Sequence, residues 1–359
     1  MSVWRRRTPT LLTLAVLTGL LVIRLRAAEP GNAYLVQNLV SDGSIAAVHT
    51  DPLLINAWGL AASPTSPWWV ADNATNVSTI YNAAGVASSL IVHVAGHPTG
   101  MVYSGGTGFV VHNGSASAPA RFIFAAEDGT ISGWSSAVQP PPPTQSFIVV
   151  PNAAAPAHDA IYKGLAVAST ASGDFLYAAD FHNNHVDVFD SSFHPVTAAG
   201  AFIDPRLPKG FAPFGIQNVA GKILVSYAKQ DDDAEDEIAG DGLGFVSAFD
   251  PDGTFLARVA SRDALNAPWG MAMAPANFGR FSGQLLVGNF GDGRINVFDA
   301  TTFEPKGHLK DTNGKAVVID GLWGIAFGNN GAAGSINTLY FAAGPHDENA
   351  GLFGRIDAQ

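Results

Sequence analysis

The chain has 359 residues, with 19 Lys and Arg against 30 Asp and Glu, for a formal net charge of −11. So acidic a chain repels nucleic acid and anionic membrane surfaces, and the absence of cysteine excludes disulfides and thiol chemistry. Glycine (39 residues) and proline (22) are plentiful, and no long stretch after residue 30 has helical apolar spacing, so one large all-β unit is expected.

The first thirty residues differ from the rest. Arg5, Arg6 and Arg7 form a basic start, Leu11 to Ile23 is apolar apart from small and hydroxyl residues, and Arg26-Ala-Ala28 follows. This is the plan of a secretory signal peptide over residues 1–28. Its apolar run of 13 residues is short for a membrane span, which needs about 20. Arg24 and Arg26 are atypical so close to a cleavage point, which makes a retained N-terminal anchor the alternative. Cleavage removes five Arg and no acid, moving the charge from −11 to −16. The expectation is an exported protein, periplasmic or extracellular, with residues 29–359 as a single domain. No membrane contact beyond that anchor, no nucleic-acid partner and a monomeric state are expected.

From residue 33 onward one phrase repeats. A glycine preceded by a bulky or turn residue opens a short apolar strand. A second strand ends in small residues and a polar cluster, and a third often ends Val-Phe-Asp. Asn56-Ala-Trp-Gly59, Pro67-Trp-Trp-Val-Ala-Asp72 and Ser78-Thr-Ile-Tyr81 form the first copy. Five more copies follow, with key glycines at 100, 164, 215, 270 and 324. Spacings of 41, 64, 51, 55 and 54 residues suit four-stranded propeller blades with variable loops. Glycine belongs where backbones crowd around a central channel, and the Trp or Phe before it is expected to wedge between neighbouring blades. Fourth strands are expected at Leu90–Ala95, Ser146–Val150, Val196–Ile203, Thr254–Ala260 and Pro305–Leu309. The sixth copy shows none, and the unassigned run Tyr34–Val40 is expected to supply it. The fold predicted is therefore a six-bladed β-propeller of four-stranded antiparallel blades, its ring closed by the N-terminal strand.

This phrasing resembles NHL-type propellers. More closely, the chain is similar to a family of exported bacterial propeller proteins with no assigned function. The likeness lies in Asn38-Leu-Val-Ser-Asp42, Thr50-Asp-Pro-Leu-Leu-Ile-Asn-Ala-Trp-Gly-Leu-Ala61, Trp69-Val-Ala-Asp-Asn73 and Ile319-Asp-Gly-Leu-Trp-Gly-Ile-Ala-Phe-Gly328. It implies fold and export, and carries over no catalytic residue.

Chemistry is expected at one mouth of the channel, where loops entering the inner strands meet loops joining second and third strands. The ligand-binding candidates are Asn56, Asp72, Asn73, Asp180, Asn183, Asn289 and Asp320. Of these, Asn56, Asp72, Asp180, Asn289 and Asp320 are hard oxygen donors suited to a divalent cation such as Ca²⁺. Asn and Asp also favour turns, so each has a plain structural role open to it. Lys163 and Glu127 fall in the same loops. His97 and His182 are the imidazole candidates for general base or metal ligand. The acidic run Asp231–Glu237 lies in the second-to-third loop of blade four, without the spacing of an EF-hand. No Gly-X-Ser-X-Gly elbow is present.

Three functions fit these residues, and whether the protein is an enzyme stays open. The first is a module that binds a small molecule or a protein at the channel mouth. A metal-dependent hydrolase or lactonase is the second, and a lyase of the streptogramin-lyase type the third.

Overall fold

Each of the six glycines sits in the innermost strand of its own sheet. In the computed structural model these strands are Ala57–Ala61, Pro98–Tyr103, Tyr162–Thr170, Phe211–Val219, Pro268–Met273 and Leu322–Phe327. The structure describes Met1 and residues 33–152, 159–196 and 200–359. The expected signal peptide, apart from Met1, lies outside the described residues. The fold described belongs to the compact unit Gly31–Gln359.

Blades 1, 2 and 5 each run outward in sequence order through four antiparallel strands. Blade 4 does the same, with a short extra strand on its second. The outer strands are Val92–His93, Phe147–Val150, Phe255–Ser261 and Pro305–His308, close to the expected positions. Blade 3 shows three strands among the described residues, and its expected outer run at 196–203 includes undescribed positions. The 64-residue spacing between Gly100 and Gly164 is taken up partly by a hairpin, Val110–Asn113 with Ala116–Pro119, inserted in blade 2. In blade 6 Tyr34–Ser41 pairs antiparallel with Leu352–Ala358, so the ring closes as the sequence predicts. The Tyr34 hydroxyl also donates to Phe278 O at 3.0 Å, tying the closing strand to blade 5.

The glycines mark the ring itself. A Cβ on Gly59, Gly100, Gly164, Gly215, Gly270 or Gly324 would come within 3.0 Å of the next blade's inner-strand backbone, the last meeting Trp58 O of blade 1. Only glycine permits that approach.

The residues before the glycines do not wedge between blades. Trp58 and Trp323 stack at 3.5 Å, Trp58 reaches Trp269 at 6.2 Å, and Phe214 meets Trp323 at 5.5 Å. The last two contacts join blades that are not neighbours, so these rings meet on the axis and plug the channel. The cause is a register break beside each glycine, as between Ala57 and Leu60 or Pro268 and Met271. A bulge of that kind re-aims a side chain. Each such ring pair contributes about 0.5–1.5 kcal/mol beyond its buried area.

Candidate functional site

A polar network lies over the aromatic plug, and Lys163 is its centre. Lys163 precedes Gly164 on the inner strand of blade 3, so the bulge that sends Trp58 to the axis sends this side chain there too. Only 2% of it is exposed. Its ammonium sits 5.3 Å from the Trp58 ring centroid, 2.7 Å from Glu127 Oε1 and 3.0 Å from Asp236 Oδ1. The Lys163 carbonyl accepts from Trp269 Nε1 at 2.9 Å.

The network continues around the mouth. Asn73 Nδ2 donates to Glu127 Oε2 at 2.8 Å, Asn56 Nδ2 donates to Asn73 Oδ1 at 3.3 Å, and Trp323 Nε1 donates to Asn56 Oδ1 at 3.3 Å. Side chains from five blades are thereby linked. Asn56 has φ of 50° and His97 a φ of 62°, each directly before an inner strand. Asn tolerates that left-handed backbone better than most residues, so its identity there serves the turn as well as the network.

Glu348 and Glu237 complete the mouth. Burial pushes the Glu348 carboxyl up to about 7 although Lys163 pulls the other way, with Glu127 and Asp236 adding to the rise. Burial likewise pushes Glu237 up to about 8 against the pull of Lys163. Burial pulls the Lys163 ammonium down, but Glu127, Glu237 and Asp236 outweigh it and hold the group above the ordinary lysine range. Glu348 stands on strained backbone: His346, Asp347 and Glu348 have φ of 58°, 52° and 64°. Left-handed geometry costs a non-glycine residue about 1–2 kcal/mol. Strain of this kind collects at functional sites.

The other expected residues lie apart from this network. Asp72, Asp180 and Asn289 are fully buried in their own blades. Asp72 Oδ2 accepts from Thr79 N at 2.8 Å, and burial pushes its carboxyl well above the usual range. Asp180 accepts from Asn183 N and Nδ2 at 3.1 and 2.9 Å. Asn289 Nδ2 donates to Ala264 O at 2.7 Å. Asp320 is exposed and accepts from His346 N at 2.9 Å. Of Asp72, Asp180 and Asp320, the carboxylates among the donors expected to share a cation, Asp180 alone belongs to a close cluster of His, Asp and Glu side chains among the described residues, with His185 and Asp187. His97 is exposed, its Nδ1 3.3 Å from Asn73 O, and His182 is half-buried, its Nδ1 3.2 Å from Ala234 O.

Sequence reading brought Asn56, Asn73, Glu127 and Lys163 to this mouth and missed the role of Glu348. The signal was there, because Glu348 follows His346 and Asp347 in the second-to-third loop of blade 6.

No protein-family model matches the chain. Among solved structures it is similar to the soluble aldose sugar dehydrogenase of Escherichia coli, with a TM-score of 0.54, 12% identity and coverage of 91% of this chain and 100% of that one. At that identity the likeness is one of fold. Among known sequences it is 33% identical over 335 residues to uncharacterized protein L690 of Acanthamoeba polyphaga mimivirus, covering 89% of this chain and 85% of L690. Uncharacterized protein R648 of the same virus is 34% identical over 332 residues, covering 89% and 79%. These relatives are viral, so the bacterial provenance expected from the resemblance has no support in them. The chain belongs to the family of uncharacterized proteins that includes L690 and R648 of Acanthamoeba polyphaga mimivirus.

Proposed function

We propose that this protein is a binding module whose channel mouth accepts a cationic group of a small ligand. One observation carries the reading: a single buried ammonium, Lys163, faces four carboxylates, Glu127, Asp236, Glu237 and Glu348. The mouth is short of positive charge, and two of its acids make up the deficit by holding protons near neutral pH. An incoming amine replaces those protons and turns two half-ionised acids into paired carboxylates. The plug closes the channel beneath, so the ligand docks on the mouth and does not pass through.

Calorimetric titration with spermidine as the probe tests this. Affinity should rise as pH increases from about 6 to about 7.5, because proton competition fades while the amines stay charged. Glu348→Gln should weaken binding and flatten that rise. Equal affinity for a neutral polyol such as glucose, or spermidine affinity independent of pH, would overturn the reading.

A further inference from the structure

One position of the repeat is chemically distinct in blade 3. The end of each second strand faces the start of the third, and the residue two further along returns to the same side. Strand registers place Asp72, Val77 and Thr79 there in blade 1, and Asn289, Arg294 and Asn296 in blade 5. In blade 6 the set is Ala343, Leu352 and Gly354, with no ionisable group. Blade 3 alone among these puts ionisable residues at all three places: Asp180, His185 and Asp187. Blade 5 satisfies the position by donating from Asn289 and Asn296 to Ala264 O at 2.7 and 2.9 Å. The fold therefore does not require charges here.

We propose that Asp180, His185 and Asp187 form a binding site for one divalent ion of the Zn²⁺ class, held inside blade 3 and separate from the channel mouth. One donor atom of each lies within 4.8 Å of the others. His185 Nε2 is 2.8 Å from Asp187 Oδ1 and 3.6 Å from Asp180 Oδ2. A tetrahedral ion about 2.0–2.1 Å from each donor sets them roughly 3.3 Å apart, close to both separations at His185 Nε2.

Each donor is also held from behind. Asn183 grips Asp180 through its main-chain and side-chain nitrogens. Tyr162 donates its hydroxyl to Asp187 Oδ2 at 2.6 Å. Asn183 O lies 3.3 Å from His185 Nδ1 and accepts its proton, so Nε2, which donates to Asp187 Oδ1 at 2.8 Å while no ion is bound, is the nitrogen that an ion would take in exchange for its proton. Outer partners of this kind orient metal ligands. The carboxylates are buried, while the imidazole is 39% exposed, which opens a fourth position to solvent. One imidazole with two carboxylates favours Zn²⁺ over Ca²⁺, which takes six to eight oxygens.

The full chain, stripped with chelator, is titrated with Zn²⁺ by calorimetry and with Co²⁺ by visible absorption. The result expected is one ion per chain and Co²⁺ bands of low coordination number. His185→Ala and Asp187→Asn should each weaken Zn²⁺ binding by more than about 100-fold, and Tyr162→Phe by about 10-fold. His194→Ala, at an exposed histidine, should leave it unchanged. No binding by the unaltered chain, or binding that survives His185→Ala, would overturn the proposal and leave a His–Asp ion pair. Should the variants fail to fold, the His185 Nε2 resonance of the unaltered chain decides: it must shift at one equivalent of Zn²⁺, and an unmoved resonance refutes the site.

Discussion

The two ends of the central channel are built by the same inner strands and differ in kind. At one end Lys163 and four carboxylates form a charged, hydrogen-bonded mouth. At the other, a cavity of about 530 Å³ is lined by strand residues such as Leu60, Met101, Leu165 and Phe327. Among the described residues no acidic, basic or histidine side chain lines it. The charged groups of the mouth come mainly from connections between second and third strands, whereas the opposite cavity is walled by the strands themselves. Strands set the geometry and loops set the chemistry, which is the usual division in folds of this type.

The largest expected effect separates the two ends. Lys163→Met leaves Glu127, Glu237 and Glu348 without their cation; losing one partner of a fully buried pair costs about 3–5 kcal/mol, and the cost here is smaller because Glu127 is 28% and Asp236 75% exposed. Urea denaturation should show that loss, and spermidine titration should show altered binding. Met101→Ala at the opposite end removes buried side-chain volume and costs about 2 kcal/mol. It should leave spermidine binding unchanged. If both variants alter binding alike, the division between the ends is wrong.

A middle-sized effect tests the ring. Gly100→Ala forces a Cβ against the Leu165 backbone, and overpacking of this sort costs about 1–3 kcal/mol. Gly105→Ala meets only the edge of the Tyr103 ring, at 3.3 Å, and should be close to neutral by the same denaturation assay. Equal stability of the two variants would contradict the close approach of the inner strands.

A third effect is a pH dependence confined to the mouth. Glu348 and Glu237 titrate near 7 and 8 in the folded state against an ordinary 4.5, so the folded protein holds extra protons in that window. Their contribution to stability is complete below about pH 4.5 and is lost as pH rises through 7 and 8. Stability followed by urea midpoint should fall from pH 5 to 9 on their account. Glu348→Gln should remove part of that slope, and a Met101→Ala slope should match that of the unaltered chain.

Much of the fold was legible in the sequence, because a propeller repeats its constraints. Gly59, Gly100, Gly164, Gly215, Gly270 and Gly324 stand out since backbone crowding recurs six times. Tyr34–Val40 stands out as a strand without a blade. The plug was not legible. Trp58, Trp269 and Trp323 look like blade packing until a register break turns them inward, and a break of that kind leaves no mark in an apolar pattern. At the site, Asn56, Asn73, Glu127 and Lys163 could be placed by their loops. Asp72, Asp180 and Asn289 share the same loop chemistry and yet are fixed inside their blades, because a short polar side chain at a strand end turns equally well towards its own backbone. His185 and Asp187 read as an ordinary third strand, and only the comparison of blade 3 with blades 1 and 5 sets them apart.

The proposed binding rests on a cation at the mouth replacing protons held by Glu237 and Glu348. Calorimetric titration of spermidine at pH 7.5, in two buffers of different ionisation enthalpy, measures the protons exchanged directly. Net proton release on binding is expected, reduced by Glu348→Gln. Binding without proton release, or proton uptake, would contradict it.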